Sequence, residues 1–197
     1  MDKYTLGLEL PTDPRWIDIA SKNIEEILVD HAYCEQKAAS SCVSLIIQYH
    51  DKDRLVDVLT PVVAEEWNHF ERVLAELRKR GYGLGPQRKD EYVEALNKII
   101  HKGGSRDQQL VEKLLMNALI EARSCERFKV LWKNIQDPDL AEFYHELVIS
   151  EAHHYRNFLD LAKTYMREDY VMTRWNELLE AEAEIMKGLE VRGDRMH

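Results

Sequence analysis

Two short motifs, Glu66-x-x-His69 and Glu151-x-x-His154, combine residue types that hold transition metals. A carboxylate and an imidazole three positions apart on a helix stand on one face and can reach a single ion. A lone glutamate precedes each motif at nearly the same distance: Glu35 lies 31 residues before Glu66, and Glu121 lies 30 before Glu151. The motifs are 85 residues apart and the single glutamates 86. The spacing predicts two copies of a helix pair, each supplying Glu and then Glu-x-x-His. Together they offer four carboxylates and two imidazoles. Hard oxygen ligands with imidazole suit iron and manganese, and two divalent ions offset four carboxylate charges.

The elements that must position these residues are helices. Leu28, His31, Glu35, Ala38, Cys42, Leu45 and Tyr49 form one stripe at three- or four-residue intervals; Val62, Glu66, His69, Val73 and Leu77 form a second. Leu114, Ala118, Glu121, Cys125, Phe128 and Trp132 form a third, and Tyr144, Leu147, Glu151, His154, Phe158, Ala162 and Tyr165 a fourth. Each stripe places a carboxylate among apolar positions of one helix face. A buried carboxylate is costly unless paired or coordinated, and four of them call for a common cause. Glu65 competes with Glu66 as a ligand through its i,i+4 relation to His69, and His153 competes with His154. Glu66 lies in line with Val62 and Val73, and His154 fits the spacing from Leu147 and Phe158. Folded antiparallel, the two pairs give the di-iron or di-manganese arrangement of ferritin-like bundles. By that analogy Glu66 and Glu151 bridge the ions, and Glu35 and Glu121 each cap one. His31 and Asn117 stand one turn before Glu35 and Glu121, where a polar side chain can hydrogen-bond a ligand carboxylate or a metal-bound water.

The rest of the sequence agrees with an all-α chain. Only 8 Gly and 5 Pro interrupt 197 residues that are 45% hydrophobic and 32% charged, a globular composition. Helices are expected from Pro14 to about Tyr49, Asp53 to Arg80, Asp90 to His101, Ser105 to Asn134, Asp137-Pro138 to Met166 and Tyr170 to Glu190, followed by a charged tail. The expected fold is a ferritin-like four-helix bundle with additional flanking helices, in one domain over residues 1–197. The start, MDKYTLGLELPTD, has no apolar run after a basic segment, so no signal peptide is expected. No apolar run approaches membrane-span length. Cys34, Cys42 and Cys125 are an odd number without a C-x-x-C, which argues against a disulfide framework or zinc ribbon. These features point to a cytoplasmic protein with no membrane partner.

The stretches AYCEQKAAS, EEWNHFERVLAELRKRGYGLGPQ, EARSCERF and SEAHHYRNF resemble the tRNA 2-methylthio-N6-isopentenyladenosine hydroxylase family, with a likeness running from about Trp16 to Arg174. E-x-x-H pairs are common to ferritin-like di-iron proteins, whereas E-L-R-x-R-G-x-x-L-G-P-Q and E-A-R-S-C-E-R-F are more specific. The resemblance implies a non-haem di-iron monooxygenase. Its two iron ions would be held by Glu35, Glu66, His69, Glu121, Glu151 and His154. One oxygen atom of O2 would enter the isopentenyl group of the modified adenosine beside the tRNA anticodon, and the other would leave as water. Two electrons must then come from outside. The chain has no flavin or nicotinamide fingerprint, so the expected donor is a separate reductase or electron-transfer protein.

The resemblance also gives meaning to the charge distribution. The chain carries −9 overall, which alone argues against a nucleic-acid binder. Between Arg78 and Arg106, eight basic and three acidic residues leave +5, and the remainder carries −14. Arg78, Lys79, Arg80, Arg88 and Lys89 flank the GYGLGPQ loop; Lys98, Lys102 and Arg106 continue the segment. Taken alone, this is a solvated turn with cations near a helix C-terminus. With the resemblance, it becomes the expected holder of tRNA phosphates at the anticodon loop, with Tyr82 available to stack on a base. A ferroxidase or a manganese catalase-type protein uses the same ligand types without an RNA substrate.

Overall fold

The computed structural model describes residues 6–196. Residues 1–5, the beginning of the segment in which a leader would lie, and residue 197 are outside the described residues. Among the described residues there are seven helices: α1 (Arg15–Ala20), α2 (Ile24–Gln48), α3 (Asp53–Lys79), α4 (Glu91–Ile99), α5 (Arg106–Asn134), α6 (Pro138–Tyr165) and α7 (Glu168–Gly188). None is long and apolar enough to cross a membrane. The chain divides into two compact units, one of Pro14–Lys89 with Arg192–Met196, the other of residues 6–13 with Asp90–Val191.

In the first unit α2 and α3 pack as an antiparallel hairpin. Leu28, Cys42 and Leu45 on α2 and Leu55, Leu59, Val62, Val73 and Leu77 on α3 are buried, so both apolar stripes are withdrawn from water. The turn between them is closed by Lys52 N–H donating to Tyr49 O at 2.9 Å. The helix expected to run unbroken from Pro14 to Tyr49 is instead interrupted at residues 21–23. There the Asn23 side chain donates to Ile19 O at 2.8 Å, and Asn23 leaves the helical region at φ −128°. Asn offers the backbone an alternative partner in this way and so favours helix ends. The loop after α3 turns back onto α2. Gly85 takes φ +66°, a conformation costly for other residues, and Tyr33 Oη donates to its carbonyl at 2.8 Å. The charged tail folds onto this unit: Met196 N–H donates to Asp30 Oδ2 at 2.8 Å, and Trp16 Nε1 donates to Arg195 O at 3.3 Å.

In the second unit α5 and α6 form another hairpin, and α7 packs on α4, α5 and α6. Ser105 and Gln108 form a capping box at the start of α5, which satisfies two otherwise orphaned N–H groups. Asp137 caps α6 by accepting from the N–H groups of Asp139 and Leu140, with Pro138 at the first helical position. Two buried ion networks fix α5 from the side opposite its Glu121 stripe. Arg123 donates to both oxygens of Glu182 on α7, at 2.9 and 3.0 Å, and to Glu126 at 3.1 Å. Burial disfavours the charged guanidinium, but Glu182 beside it holds the pKa above its ordinary value. Farther along, Arg174 on α7 donates to both oxygens of Glu112, at 2.7 and 3.0 Å, and to Ile99 O at 2.8 Å.

Candidate metal centre

Each hairpin gathers one triad of ligand-type side chains. Within the first unit, one ligand atom from each of Glu35, Glu66 and His69 lies within 4.8 Å of the others; within the second, the same holds for Glu121, Glu151 and His154. All six residues are no more than 5% exposed. His69 Nδ1 lies 3.4 Å from Glu35 Oε2 and 3.8 Å from Glu66 Oε2. His154 Nδ1 lies 3.8 Å from Glu151 Oε2, the same i,i+3 geometry in the second copy. Atoms that each stand ~2.1 Å from one divalent ion span separations of this size. Both motif competitors, Glu65 and His153, are exposed.

Burial makes the chemistry of these triads specific. Two carboxylates taken out of water beside one imidazole carry charge that the protein interior opposes. A divalent cation relieves it, and oxygen with imidazole is the donor set that iron and manganese accept. The residues present therefore fit such ions. The surroundings add one buried thiol per unit. Cys42 is pushed well above its ordinary pKa by burial and then by Glu66. Cys125 is pushed up to about 12 by burial and then by Glu151 and Glu126.

The two residues expected to support the ligands differ. His31 is fully buried, with Nε2 2.6 Å from Glu35 Oε1. Asn117, its counterpart by spacing, is half-buried.

The eight expected RNA-contacting cations fall in both units. Arg78, Lys79 and Lys89 are exposed in the first; Lys98, Lys102 and Arg106 are exposed in the second. Ion pairs within the protein engage Arg80 and Arg88. Arg80 pairs with Glu76 on its own helix. Arg88 pairs with Glu26 and donates to Asp194 O at 3.3 Å. Tyr82, on the same loop, is exposed.

With this geometry in hand, the relatives are informative. The family model described as tRNA-(MS2IO6A)-hydroxylase (MiaE) matches residues 2–197. The chain belongs to the MiaE family. A tRNA 2-(methylsulfanyl)-N(6)-isopentenyladenosine(37) hydroxylase of Pseudomonas putida KT2440 is 39% identical over 158 residues, covering 80% of this chain and 76% of the relative. The protein of the same name from Salmonella typhimurium LT2 is 28% identical, with 91% of this chain and 83% of that one covered. Among solved structures, a Synechococcus protein with aldehyde deformylating oxygenase activity superposes with a TM-score of 0.90 at 35% identity, over 96% of this chain and 94% of its own. That likeness gives this MiaE-family chain the all-α, ferritin-like fold expected from its sequence.

Sequence pattern did not single out Arg123, Glu182, Glu112 and Arg174. For the two on α5 the available signal was helical spacing: Glu112 and Arg123 share, with Glu126, a face turned away from Glu121.

Proposed function

We propose that this protein is an O2-dependent di-iron monooxygenase that hydroxylates the isopentenyl group of 2-methylthio-N6-isopentenyladenosine beside the tRNA anticodon. The observation that carries the reading is the family match over residues 2–197 in a chain that buries six ligand-type side chains as two matching triads. In this reading the two units act as one domain. Glu35, Glu66, His69, Glu121, Glu151 and His154 would hold two iron ions, with Glu66 and Glu151 expected to serve both, Glu35 and Glu121 one each, and His69 and His154 one each. Bound there, the iron pair supplies the O2-activating redox chemistry that no side chain here can perform. The protein's part is to hold the ligands in fixed rotamers, keep the site dry and orient the substrate's allylic carbon. Arg78, Lys79 and Lys89 hold the RNA backbone through its phosphates, and Tyr82 stacks on a base of the loop. One oxygen atom enters the substrate and the other leaves as water, with two electrons from a separate donor protein in the cytoplasm.

The test is nucleoside analysis of substrate tRNA incubated with iron-loaded protein, O2 and a reductant. The modified adenosine should gain one oxygen on its isopentenyl group, and omitting O2 or iron should abolish the gain. The likeness to an aldehyde deformylating oxygenase supports a second reading, in which the substrate is an aldehyde. Turnover of an aldehyde with unchanged tRNA would replace the first reading by the second.

A further inference from the structure

His31 is one histidine more than the two triads need. It is fully buried, one turn before Glu35 on α2. The two oxygens of Glu35 face different rings: Oε1 lies 2.6 Å from His31 Nε2, and Oε2 lies 3.4 Å from His69 Nδ1. A carboxylate must be ionised to ligate a metal and then only accepts, so in that state the bond requires the proton on His31 Nε2. At that length the bond belongs with the strong, charge-assisted kind.

We infer that His31 is a positioning residue of the metal centre: by donating to Oε1 it reserves Oε2 for the ion that His69 holds, so Glu35 binds through one oxygen. The inference rests on the di-iron reading above. A carboxylate free to turn can bind one ion with both oxygens and fill two coordination positions. Fixing one oxygen to a neighbouring ring prevents this and leaves a position on that ion for water or O2. Partners of this sort orient metal ligands and tune the ion they hold. The residue one turn before Glu121 is Asn117, so the two ions have different surroundings. His31 thus makes the ion of the α2/α3 unit chemically distinct from the other.

The test uses the full chain loaded anaerobically with ⁵⁷Fe(II), compared as wild type, His31→Leu and His31→Gln, with circular dichroism to establish folding. Wild type should take two ions per chain and give two distinguishable ferrous Mössbauer signals. His31→Leu should alter one signal and weaken one ion's binding by about ten- to a hundredfold, the usual effect of removing an outer partner. His31→Gln, which keeps an N–H donor, should recover most of both. A ¹⁵N-imidazole spectrum of the metal-free wild type should place the His31 proton on Nε2; this readout survives if the leucine variant does not fold. A proton on Nδ1, or a folded His31→Leu protein with both signals and both affinities unchanged, overturns the inference while the di-iron reading stands. Wild-type protein that takes up no iron fails that reading itself, and the inference falls with it.

Discussion

The two helix hairpins carry the same three-residue pattern in different frames. On α5 the face away from Glu121 holds Glu112, Arg123 and Glu126, and α7 answers with Arg174 and Glu182 deep in the interior. On α2 the supporting bonds lie toward its edges: Tyr33 to the Gly85 carbonyl, Asp30 to the Met196 N–H, and Glu26 to Arg88. A buried ion pair cannot lose one member without leaving a charge stranded, whereas a half-exposed pair gives its groups back to water. The placement of ligands and the support of ligands are therefore separate layers of this sequence. The first is duplicated between the hairpins and the second is not.

The largest effect should come from the layer the hairpins share. Glu66→Ala and Glu151→Ala should each lose most of both iron ions, because in the proposed reading each would serve both. Glu35→Ala and Glu121→Ala should each lose mainly one. Metal analysis of the purified, iron-loaded variants measures this, and a full complement of iron in Glu66→Ala would remove Glu66 from the site and break the equivalence.

Next in size is the support layer of the second unit. Arg123→Met should destabilise the metal-free protein by about 3–5 kcal/mol, the cost of stranding a buried charge. In this variant Glu182 is deprived of the guanidinium that bonds both its oxygens. The double variant Arg123→Met/Glu182→Leu should recover much of that loss, since apolar replacement of a whole buried pair is often neutral. Urea unfolding of the two variants measures the difference. Equal destabilisation by both would mean that the pair itself, and not the stranded carboxylate, sets the energy.

The gathering of buried Glu and His side chains was legible in the sequence because these residues stand as unlike members of an apolar stripe at helical spacing. Glu66 stood out against Val62 and Val73, as Glu151 and His154 did between Leu147 and Phe158. Even the His31 position followed from one-turn spacing. Support was less legible. Arg123, Glu126 and Glu182 lie in charged stretches of long helices, and local spacing cannot tell a solvated charge from one covered by a helix 59 residues away. The break at residues 21–23 escaped for a related reason: Ser21, Lys22 and Asn23 fit the polar face of a continuous helix, and a side-chain bond to Ile19 O decides otherwise. The basic segment around GYGLGPQ was read as one cationic run. Arg80 and Arg88 are instead drawn into ion pairs by Glu76 and Glu26, and Glu26 lies far from Arg88 in sequence.

A smaller effect concerns the buried thiols, present in both hairpins. The Cys125 thiol rises from the ordinary 9.0 to about 12, chiefly through burial. A raised folded-state pKa favours the protonated fold, so its contribution is complete below pH 9 and is lost as pH climbs from 9 toward 12. At pH 10 the loss should be about 1.4 kcal/mol, one unit of differential ionisation. Cys125→Ala should flatten that decline in urea unfolding measured from pH 8 to 10.5. A decline of undiminished slope would assign it to other groups, Cys42 first, which burial raises in the other hairpin.

The smallest expected effect tests the edge of the α2/α3 hairpin. Arg88 and Glu26 are partly exposed, at 23% and 40% of their side chains, and an ion pair so close to water is worth roughly 0–1 kcal/mol. Arg88→Ala should therefore shift the urea midpoint little, in contrast to Arg123→Met. The same variant separates two uses of a cation. Arg88 is engaged with Glu26 and the Asp194 carbonyl, so removing it should leave the salt dependence of tRNA binding nearly unchanged. The combined Arg78→Ala, Lys79→Ala, Lys89→Ala variant removes three exposed cations. It should lower the slope of log affinity against log salt by about 0.7 for each phosphate that is no longer neutralised, while keeping its iron. If Arg88→Ala reduces the slope as much per residue as the triple variant, Arg88 leaves Glu26 to hold RNA, and the ion pair is a resting state of the loop. If neither variant moves the slope, the phosphates are held by other cations, and Lys98, Lys102 and Arg106 in the second unit are the next set to remove.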